Sequence, residues 1–161
     1  MAWHVDLPGG FVISDDAGRL DVDRVHRWLA EQSYWAGGRE RASVARSVAH
    51  SLSLGLYAPD GTQVGFARAI TDRAVYAHLA DVVVSPESRG RALGQALVAA
   101  LLDHPELRTV ATWTLSTRDA HGLYARFGFV VHPAPQTQMG RSRNRSGCTR
   151  LVRADFSAVQ G

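Results

Sequence analysis

Apolar residues in the first third of the chain recur at helical spacing in two separate segments. In 20–32 and again in 40–52, apolar side chains return every three or four residues, as on one buried face of a helix. Asp21 directly precedes the first pattern, and aspartate is a common N-cap because its carboxylate accepts a free backbone N–H. We therefore predict two helices, joined by a loop over 33–39 that carries two aromatic residues.

The pattern changes to alternation in the middle of the chain, which is typical of β-strands. From 52 to 70, apolar residues alternate with small or polar ones on both sides of Pro59, Asp60 and Gly61. These three residue types favour a turn, so the segment predicts a β-hairpin with the turn at its tip. The next segment, 74–84, alternates as well and predicts a third strand of the same sheet.

Helix and strand patterns then follow each other to residue 132. We predict a helix over 90–104, a strand over 108–115, a short helix over 119–127 that ends at Gly128, and a strand over 128–132. A strand-helix-strand unit normally pairs its strands in parallel through a right-handed crossover. The predicted fold class is therefore α/β of the α+β type: a mixed, mostly antiparallel sheet flanked by helices, in a single domain.

Composition supports one domain and removes several kinds of chemistry. A chain of 161 residues with 45% hydrophobic content can bury one core and is too short for two ordinary domains. All 18 cationic residues are arginines, which excludes a lysine Schiff base, a lysine general base and a Walker lysine. The single cysteine, Cys148, excludes an internal disulfide and a cysteine-based zinc site, and we expect no metal. Without a membrane-span pattern or a signal-peptide pattern at its start, the chain is expected to be cytoplasmic.

The formal net charge is +3, and positive residues are concentrated only near the end of the chain. Five arginines crowd that segment: Arg141, Arg143, Arg145, Arg150 and Arg153. We predict a domain over 1–141 followed by an arginine-rich tail over 142–161. No aromatic residues are interleaved for base stacking, so a solvated tail is favoured over a nucleic-acid surface.

A turn rich in small residues joins the predicted strand over 74–84 to the predicted helix over 90–104. Gly90, Ala92 and Gly94 remove side-chain bulk where the helix begins, and the first N–H groups of a helix have no partner within it. These groups and the helix dipole attract anions. The turn therefore indicates a phosphate-bearing ligand, with close packing of strand and helix as the alternative.

This turn is one of two motifs through which residues 20–141 resemble the GNAT superfamily of N-acetyltransferases. In that family an Arg/Gln-x-x-Gly-x-Gly/Ala turn binds the pyrophosphate of acetyl-coenzyme A (acetyl-CoA), and here Ala92 stands where a glycine is usual. A second segment is similar to the family signature Ala-x-x-Leu-Tyr-x-x-x-Gly-Phe, through Ala120, Leu123, Tyr124, Gly128 and Phe129. The resemblance implies a GNAT-like fold.

The resemblance also implies acetyl-CoA as co-substrate. Thr117 stands where many relatives carry an asparagine that contacts the pantetheine arm. The residues implied in coenzyme binding are Val82, Val83, Val84, Arg89, Gly90, Arg91, Ala92, Leu93, Gly94, Gln95, Thr117 and Tyr124.

The implied activity is acetyl transfer to a primary amine of a small molecule or peptide. Tyr124 occupies the family's general-acid position and, with an ordinary pKa of about 10, is protonated at neutral pH; packing is its alternative role. Asp81, His121 and His78 are candidates for the general base. Asp81 interrupts an apolar strand and could instead pair with an arginine, while His121 could be a surface residue. Simple alternation places His78 on the opposite strand face from Asp81, unless a bulge intervenes.

Aromatic residues are the candidates for the acceptor wall. Tyr34 and Trp35 lie in the loop where the family's acceptor site usually is, and His78 and Trp113 are further substrate-binding candidates, with packing as the alternative. The expected partner is a small-molecule or peptide amine, with no membrane and no nucleic acid; a homodimer stays open. The alternative function is a non-catalytic coenzyme A-binding regulatory domain.

Overall fold

Six strands form one sheet in which the order across the sheet follows the order along the chain. The computed structural model of the protein describes residues 1–140, so the predicted tail and Cys148 lie outside the described residues. The strands are β1 His4–Asp6, β2 Val12–Ser14, β3 Leu52–Tyr57, β4 Gln63–Thr71, β5 Tyr76–Val84 and β6 Thr112–Thr114. The α-helices are α1 Val22–Gln32, α2 Arg41–Ala49, α3 Leu93–Asp103 and α4 His121–Ala125. Short 3₁₀ turns lie at Pro8–Gly10, Ala17–Arg19, Pro86–Ser88 and Pro135–Thr137.

The pairing of these strands confirms the predicted mixed sheet. β1 to β5 pair with their neighbours in antiparallel fashion, and β5 pairs with β6 in parallel. The hairpin of β3 and β4 turns at Pro59, Asp60 and Gly61, where the Gly61 N–H donates to the Ala58 carbonyl at 2.8 Å. β1 and β2 were not predicted, because each has only three residues and its pattern is too short to recognise.

The two predicted N-terminal helices are present, and the Asp21 carboxylate caps α1 by accepting the Arg24 N–H at 2.9 Å. The second helix ends at Ala49, so the prediction that it reaches residue 52 was wrong. Leu52 is the first residue of β3 and pairs with Ala69 of β4. Pairing within the sheet therefore overrides the helical spacing at that point.

The predicted strand over 128–132 was also wrong. No strand is formed there, and Val130 and Val131 are 81% and 76% exposed. Their high strand propensity does not suffice, because no strand edge within residues 1–140 pairs with them. The strand predicted over 108–115 is shorter than expected, since it pairs with β5 only over Thr112–Thr114.

The sheet separates two clusters of apolar side chains. α3 packs against one face, and α1 and α2 pack against the other. Side chains of β5 alternate between these clusters at its end, with Val82 and Val84 beside the α3 cluster and Val83 beside the α1 cluster. Among residues 1–140, no helix has both the length and the apolar character to cross a membrane.

Candidate active site

A cleft of about 520 Å³ opens where β5 and β6 separate. The two strands pair at only three positions, the last being His78 with Thr114, and they diverge beyond it. The walls of the cleft come from the loop between α1 and α2, from β4 and β5, from the start of α3, and from the segment between β6 and the end of α4. The turn before α3 and the signature around Tyr124 are therefore brought to one cavity.

A bulge in β5 decides which side chains face this cleft. Along β4, Phe66 pairs with Val83 and Arg68 pairs with Ala80, so β5 has one residue more than β4 over this stretch. The extra residue lies at Asp81, whose φ is +53°. The bulge reverses the alternation, so that His78 and Asp81 both line the cleft and simple alternation was wrong.

The Asp81 carboxylate lies at the centre of a buried ion-pair cluster. Its Oδ2 accepts from Arg68 Nε at 2.7 Å and from Arg39 at 2.9 Å, and its Oδ1 accepts from Trp35 Nε1 at 3.1 Å. The Asp81 side chain is 3% exposed. Burial alone raises its pKa, but the charges of Arg68 and Arg39 outweigh burial and hold the pKa of Asp81 below its ordinary value. Asp81 thus pairs with arginines, one of the alternatives that the sequence left open.

The turn before α3 presents a row of backbone donors. Within residues 1–140, none of the six backbone N–H groups from Gly90 to Gln95 has a hydrogen-bond partner, and no side chain caps the helix. A Cβ added at Gly94 would meet only Val84 Cγ2, at 3.9 Å, so packing does not require glycine there. Gly90 has a φ of +79°, which glycine adopts without strain. Close packing therefore does not explain the glycine at position 94.

The conformation of Ala92 explains why glycine is usual at its position. Ala92 has a φ of +56° and ψ of 18°, the left-handed region in which a Cβ is strained. We expect Ala92→Gly to stabilise the fold by about 1 kcal/mol, the relief of strain less the added freedom of the unfolded chain. The melting temperature would then rise by about 2–4 °C. Ala99→Gly, in the right-handed interior of α3, is the matched control and should lower it; an equal loss in both variants would contradict the strain at Ala92.

Tyr124 lies on α4 and lines the cleft together with the residues of the Asp81 cluster. Its ring packs edge to face on Phe129, with ring centres 6.1 Å apart, and its hydroxyl has no hydrogen-bond partner within residues 1–140. Burial raises its pKa, and so do nearby Tyr34 and Asp119. The hydroxyl therefore keeps its proton at neutral pH. Thr117 accepts the Ala120 N–H at 3.0 Å and retains its own hydroxyl proton for a further bond.

Two aromatic side chains of the α1–α2 loop also line the cleft, as the sequence suggested. Tyr34 and Trp35 pack edge to face with ring centres 5.0 Å apart. The Tyr34 hydroxyl accepts the Arg118 N–H at 2.8 Å, and the Arg118 guanidinium lies 3.8 Å from the Tyr34 ring centre. These contacts hold the loop against the segment that precedes α4.

Two candidates are not brought to the cleft. His121 is exposed at the first turn of α4 and does not line the cavity. Trp113 of β6 pairs with fully buried Ala77 of β5, so the two side chains lie on the same face of the sheet. Both belong to the apolar cluster that α3 covers. Trp113 is therefore part of the core packing.

Of the predicted turn residues, only Gly94 lines the cleft, and Leu93 is buried in the core. Val82, Val83 and Val84 line it along β5. The Val84 carbonyl accepts from Arg89 Nε at 3.2 Å, and Arg89 also donates to Gln32 of α1 at 2.8 Å.

Sequence reasoning missed the two cleft arginines, Arg39 and Arg68, as well as Thr114. Arg68 is the one charged residue of β4, an otherwise largely apolar strand that is buried along most of its length. A lone charge in such a strand signals a buried partner, and Asp81 in the next strand was the complementary signal.

Comparison with known proteins agrees with this geometry. The family model for the acetyltransferase (GNAT) domain matches residues 53–131. A Gibberella zeae protein named as an acetyltransferase is 31% identical over 128 residues, which cover 66% of this chain and 72% of that protein. A Xanthomonas campestris crystal structure, assigned to the GNAT acetyltransferases, is 44% identical with a TM-score of 0.79, covering 83% of this chain and 93% of that one.

A more distant fold neighbour from Mycobacterium tuberculosis was solved in complex with CoA. It is 22% identical, with a TM-score of 0.57 over 68% of this chain and 66% of that chain, and shows the shared fold. Together with the closer relatives, the six-stranded sheet and its central cleft identify the protein as an acyltransferase enzyme, and the chain belongs to the GNAT family of acetyltransferases.

Proposed function

We propose that the protein is an acetyl-CoA-dependent N-acetyltransferase that acylates a primary amine of a small molecule or peptide, with Tyr124 as general acid. The observation that carries this proposal is the cleft that both the start of α3 and Tyr124 line. The CoA complex of the Mycobacterium tuberculosis fold neighbour supports the same choice of co-substrate.

The turn and the open edge of β5 fit this co-substrate. The free N–H groups from Gly90 to Gln95 suit a diphosphate, and the β5 edge beyond His78 has no strand partner within residues 1–140, so it can bind amide groups in the way that a sheet edge binds a peptide. The Thr117 hydroxyl can donate one further bond. When bound, acetyl-CoA supplies an activated acetyl thioester whose sulfur leaves as a thiolate.

Tyr124 would supply the proton that this leaving group needs. The residue lines the cleft, and its hydroxyl has no competing partner within residues 1–140 and keeps its proton because burial raises its pKa. Proton donation by a positioned side chain contributes about 10²- to 10⁴-fold to a rate.

The acceptor would bind between the aromatic loop and β4. Tyr34 and Trp35 form one wall, and Ile70 contributes an apolar surface. Such a pocket suits an amine with an alkyl or aromatic body. Asp81 would hold this wall in place through Arg39 and Trp35, as a positioning residue.

A thiol-release assay with acetyl-CoA and a panel of alkyl, aromatic and peptide amines tests the proposed function. We expect thiol release that depends on the amine, with one acetylated amine per thiol by mass spectrometry. Coenzyme A binding without turnover on any amine would support a regulatory domain instead, and absence of binding in calorimetry would overturn the assignment of the turn.

Gly94→Val tests the turn directly. Because a Cβ at Gly94 meets no atom nearer than 3.9 Å, the fold should tolerate valine, but the branched side chain would obstruct an approaching phosphate. We expect coenzyme A affinity to fall about tenfold or more, equivalent to about 1.4 kcal/mol, in calorimetry. Gly37→Val is the matched control, since a Cβ there meets only the Ser33 carbonyl at 3.9 Å and Gly37 does not line the cleft. Equal affinities in both variants would show that the turn is structural.

A further inference from the structure

An acceptor amine needs a base before it can react. Alkyl amines have pKa values of about 10, so at neutral pH they are mainly ammonium ions without a free lone pair. The proposed acetyl transfer therefore requires a proton acceptor that faces the cleft, in addition to the acid Tyr124.

Two of the three candidate bases are unsuited by their surroundings. Both oxygens of Asp81 already accept hydrogen bonds, and the charges of Arg68 and Arg39 keep its pKa low, which makes it a poor proton acceptor. His121 is exposed at the start of α4 and lies outside the cleft lining.

His78 combines access to the cleft with a fixed orientation. The parallel register of β5 and β6 places it beside Thr114, and His78 Nδ1 lies 2.8 Å from Thr114 Oγ1. Thr114 Oγ1 in turn lies 2.6 Å from the Tyr76 hydroxyl, which is on a residue 42% exposed to solvent. His78 Nε2, the other ring nitrogen, has no hydrogen-bond partner within residues 1–140.

The direction of the hydrogen bonds that link His78, Thr114 and Tyr76 decides whether Nε2 carries a proton or a lone pair. If Nδ1–H donates to Thr114, the Thr114 hydroxyl donates to Tyr76, and the Tyr76 hydroxyl donates to solvent, then every proton of the chain has an acceptor. The imidazole is then the Nδ1–H tautomer, and the lone pair is on Nε2.

We infer that His78 is the general base of the acetyl transfer and that Thr114 and Tyr76 are positioning residues that hold it as the Nδ1–H tautomer. This inference rests on the proposed N-acetyltransferase function. In the step, one N–H bond of the substrate ammonium breaks and its proton passes to Nε2. The electron pair of that bond stays on the amine nitrogen as the nucleophilic lone pair. As the C–N bond forms and the C–S bond breaks, Tyr124 protonates the leaving thiolate and is itself reprotonated by the second proton that the nitrogen loses, and the imidazolium returns its proton to water.

The surroundings of His78 keep its imidazole in the neutral form, in which Nε2 has a lone pair available. Burial and the charge of Arg68 on β4 lower the pKa of His78, while Asp81 on the same strand opposes them. Tyr34 and Arg39 of the α1–α2 loop and Asp119 and Tyr124 beyond β6 complete the ionisable groups that line the cleft from the other elements. The imidazole is therefore neutral at neutral pH, and activity should decrease as acid protonates it.

His78→Gln tests the base with acetyl-CoA and the most active amine of the panel. We expect kcat/KM for the amine to fall by about 10²- to 10⁴-fold at neutral pH, with unchanged coenzyme A affinity. The acidic limb of the pH profile should disappear, and the deficit should shrink as the pH approaches the amine's own pKa of about 10.

Thr114→Val and Thr114→Ser test the positioning. Valine keeps the shape without the hydroxyl, so we expect a smaller loss of kcat and a displaced acidic limb, and serine should restore both. Nitrogen NMR shifts of the His78 ring should identify the Nδ1–H tautomer in the wild type, a measurement that needs no substrate and holds even if His78→Gln fails to fold.

The outcomes separate the two proposals. If the wild-type protein acetylates an amine and His78→Gln does so at the same rate and with the same acidic limb, the role of His78 is overturned and the N-acetyltransferase function stands. An Nε2–H tautomer would also overturn it. A wild-type protein that acetylates no amine would overturn the function itself.

Discussion

Replacing Tyr124 with phenylalanine is expected to lower kcat by about 10²- to 10⁴-fold, with little change in coenzyme A affinity or melting temperature. The substitution keeps the ring, so its edge-to-face contact with Phe129 remains, and the lost hydroxyl has no hydrogen-bond partner within residues 1–140. The variant therefore lacks only the hydroxyl group and the proton that this group could donate. Steady-state kinetics of thiol release, with calorimetry for coenzyme A, measure the two effects separately.

Tyr57→Phe is the matched control for this prediction. Tyr57 is buried away from the cleft, and its hydroxyl is also without a partner within residues 1–140. Loss of that hydroxyl should leave kcat unchanged. If Tyr124→Phe retained the wild-type kcat on a good amine, Tyr124 would be a packing residue.

Asp81→Asn is expected to lower the free energy of unfolding by about 3–5 kcal/mol, the largest stability effect that we predict. Asparagine tolerates the left-handed backbone at this bulge, so the backbone itself should not be the cause. The cause is charge, because Arg68, with a side chain 8% exposed, would remain buried without its carboxylate. Urea unfolding measures the difference.

The pH dependence of this effect has a definite sign. The folded-state pKa of Asp81 is lowered, so its stabilisation is complete above the unfolded-state pKa of about 3.9 and is lost as the pH falls through the folded-state value. The stabilities of wild type and Asp81→Asn should therefore converge in acid. Asp23→Asn, which removes an exposed ion pair with Arg41, is the control and should change stability little. A similar loss in both variants would refute the special role of the buried cluster.

Much of the fold could be predicted because it depends on neighbours along the chain. The helical spacing of 20–32, the cap at Asp21 and the turn at Asp60 and Gly61 each rest on a few adjacent residues, and the structure confirms them. Failures occurred where a partner distant in sequence decides the outcome. Leu52 joined a strand because β4 pairs with it, and 128–132 stayed outside the sheet for want of a paired edge within residues 1–140.

The candidate site divides in the same way. The small-residue turn before α3 was recognisable from its residue types at the start of a helix, and Tyr124 from the resemblance of its segment to a family signature. The boundary between domain and tail at residue 141 stays a prediction, since 141–161 lie outside the described residues.

The sequence by itself therefore determined the order of the elements from α1 to α4, the small-residue turn before α3 and the tyrosine on α4, since these follow from local periodicity and helix termini. Only the tertiary structure decided which charged side chains share the cleft. A one-residue mismatch between β4 and β5 turns Asp81 to the same face as His78, and the short pairing of β5 with β6 sets Thr114 beside that histidine. Both depend on register between strands, and a single residue of register moves a side chain to the other face of a sheet.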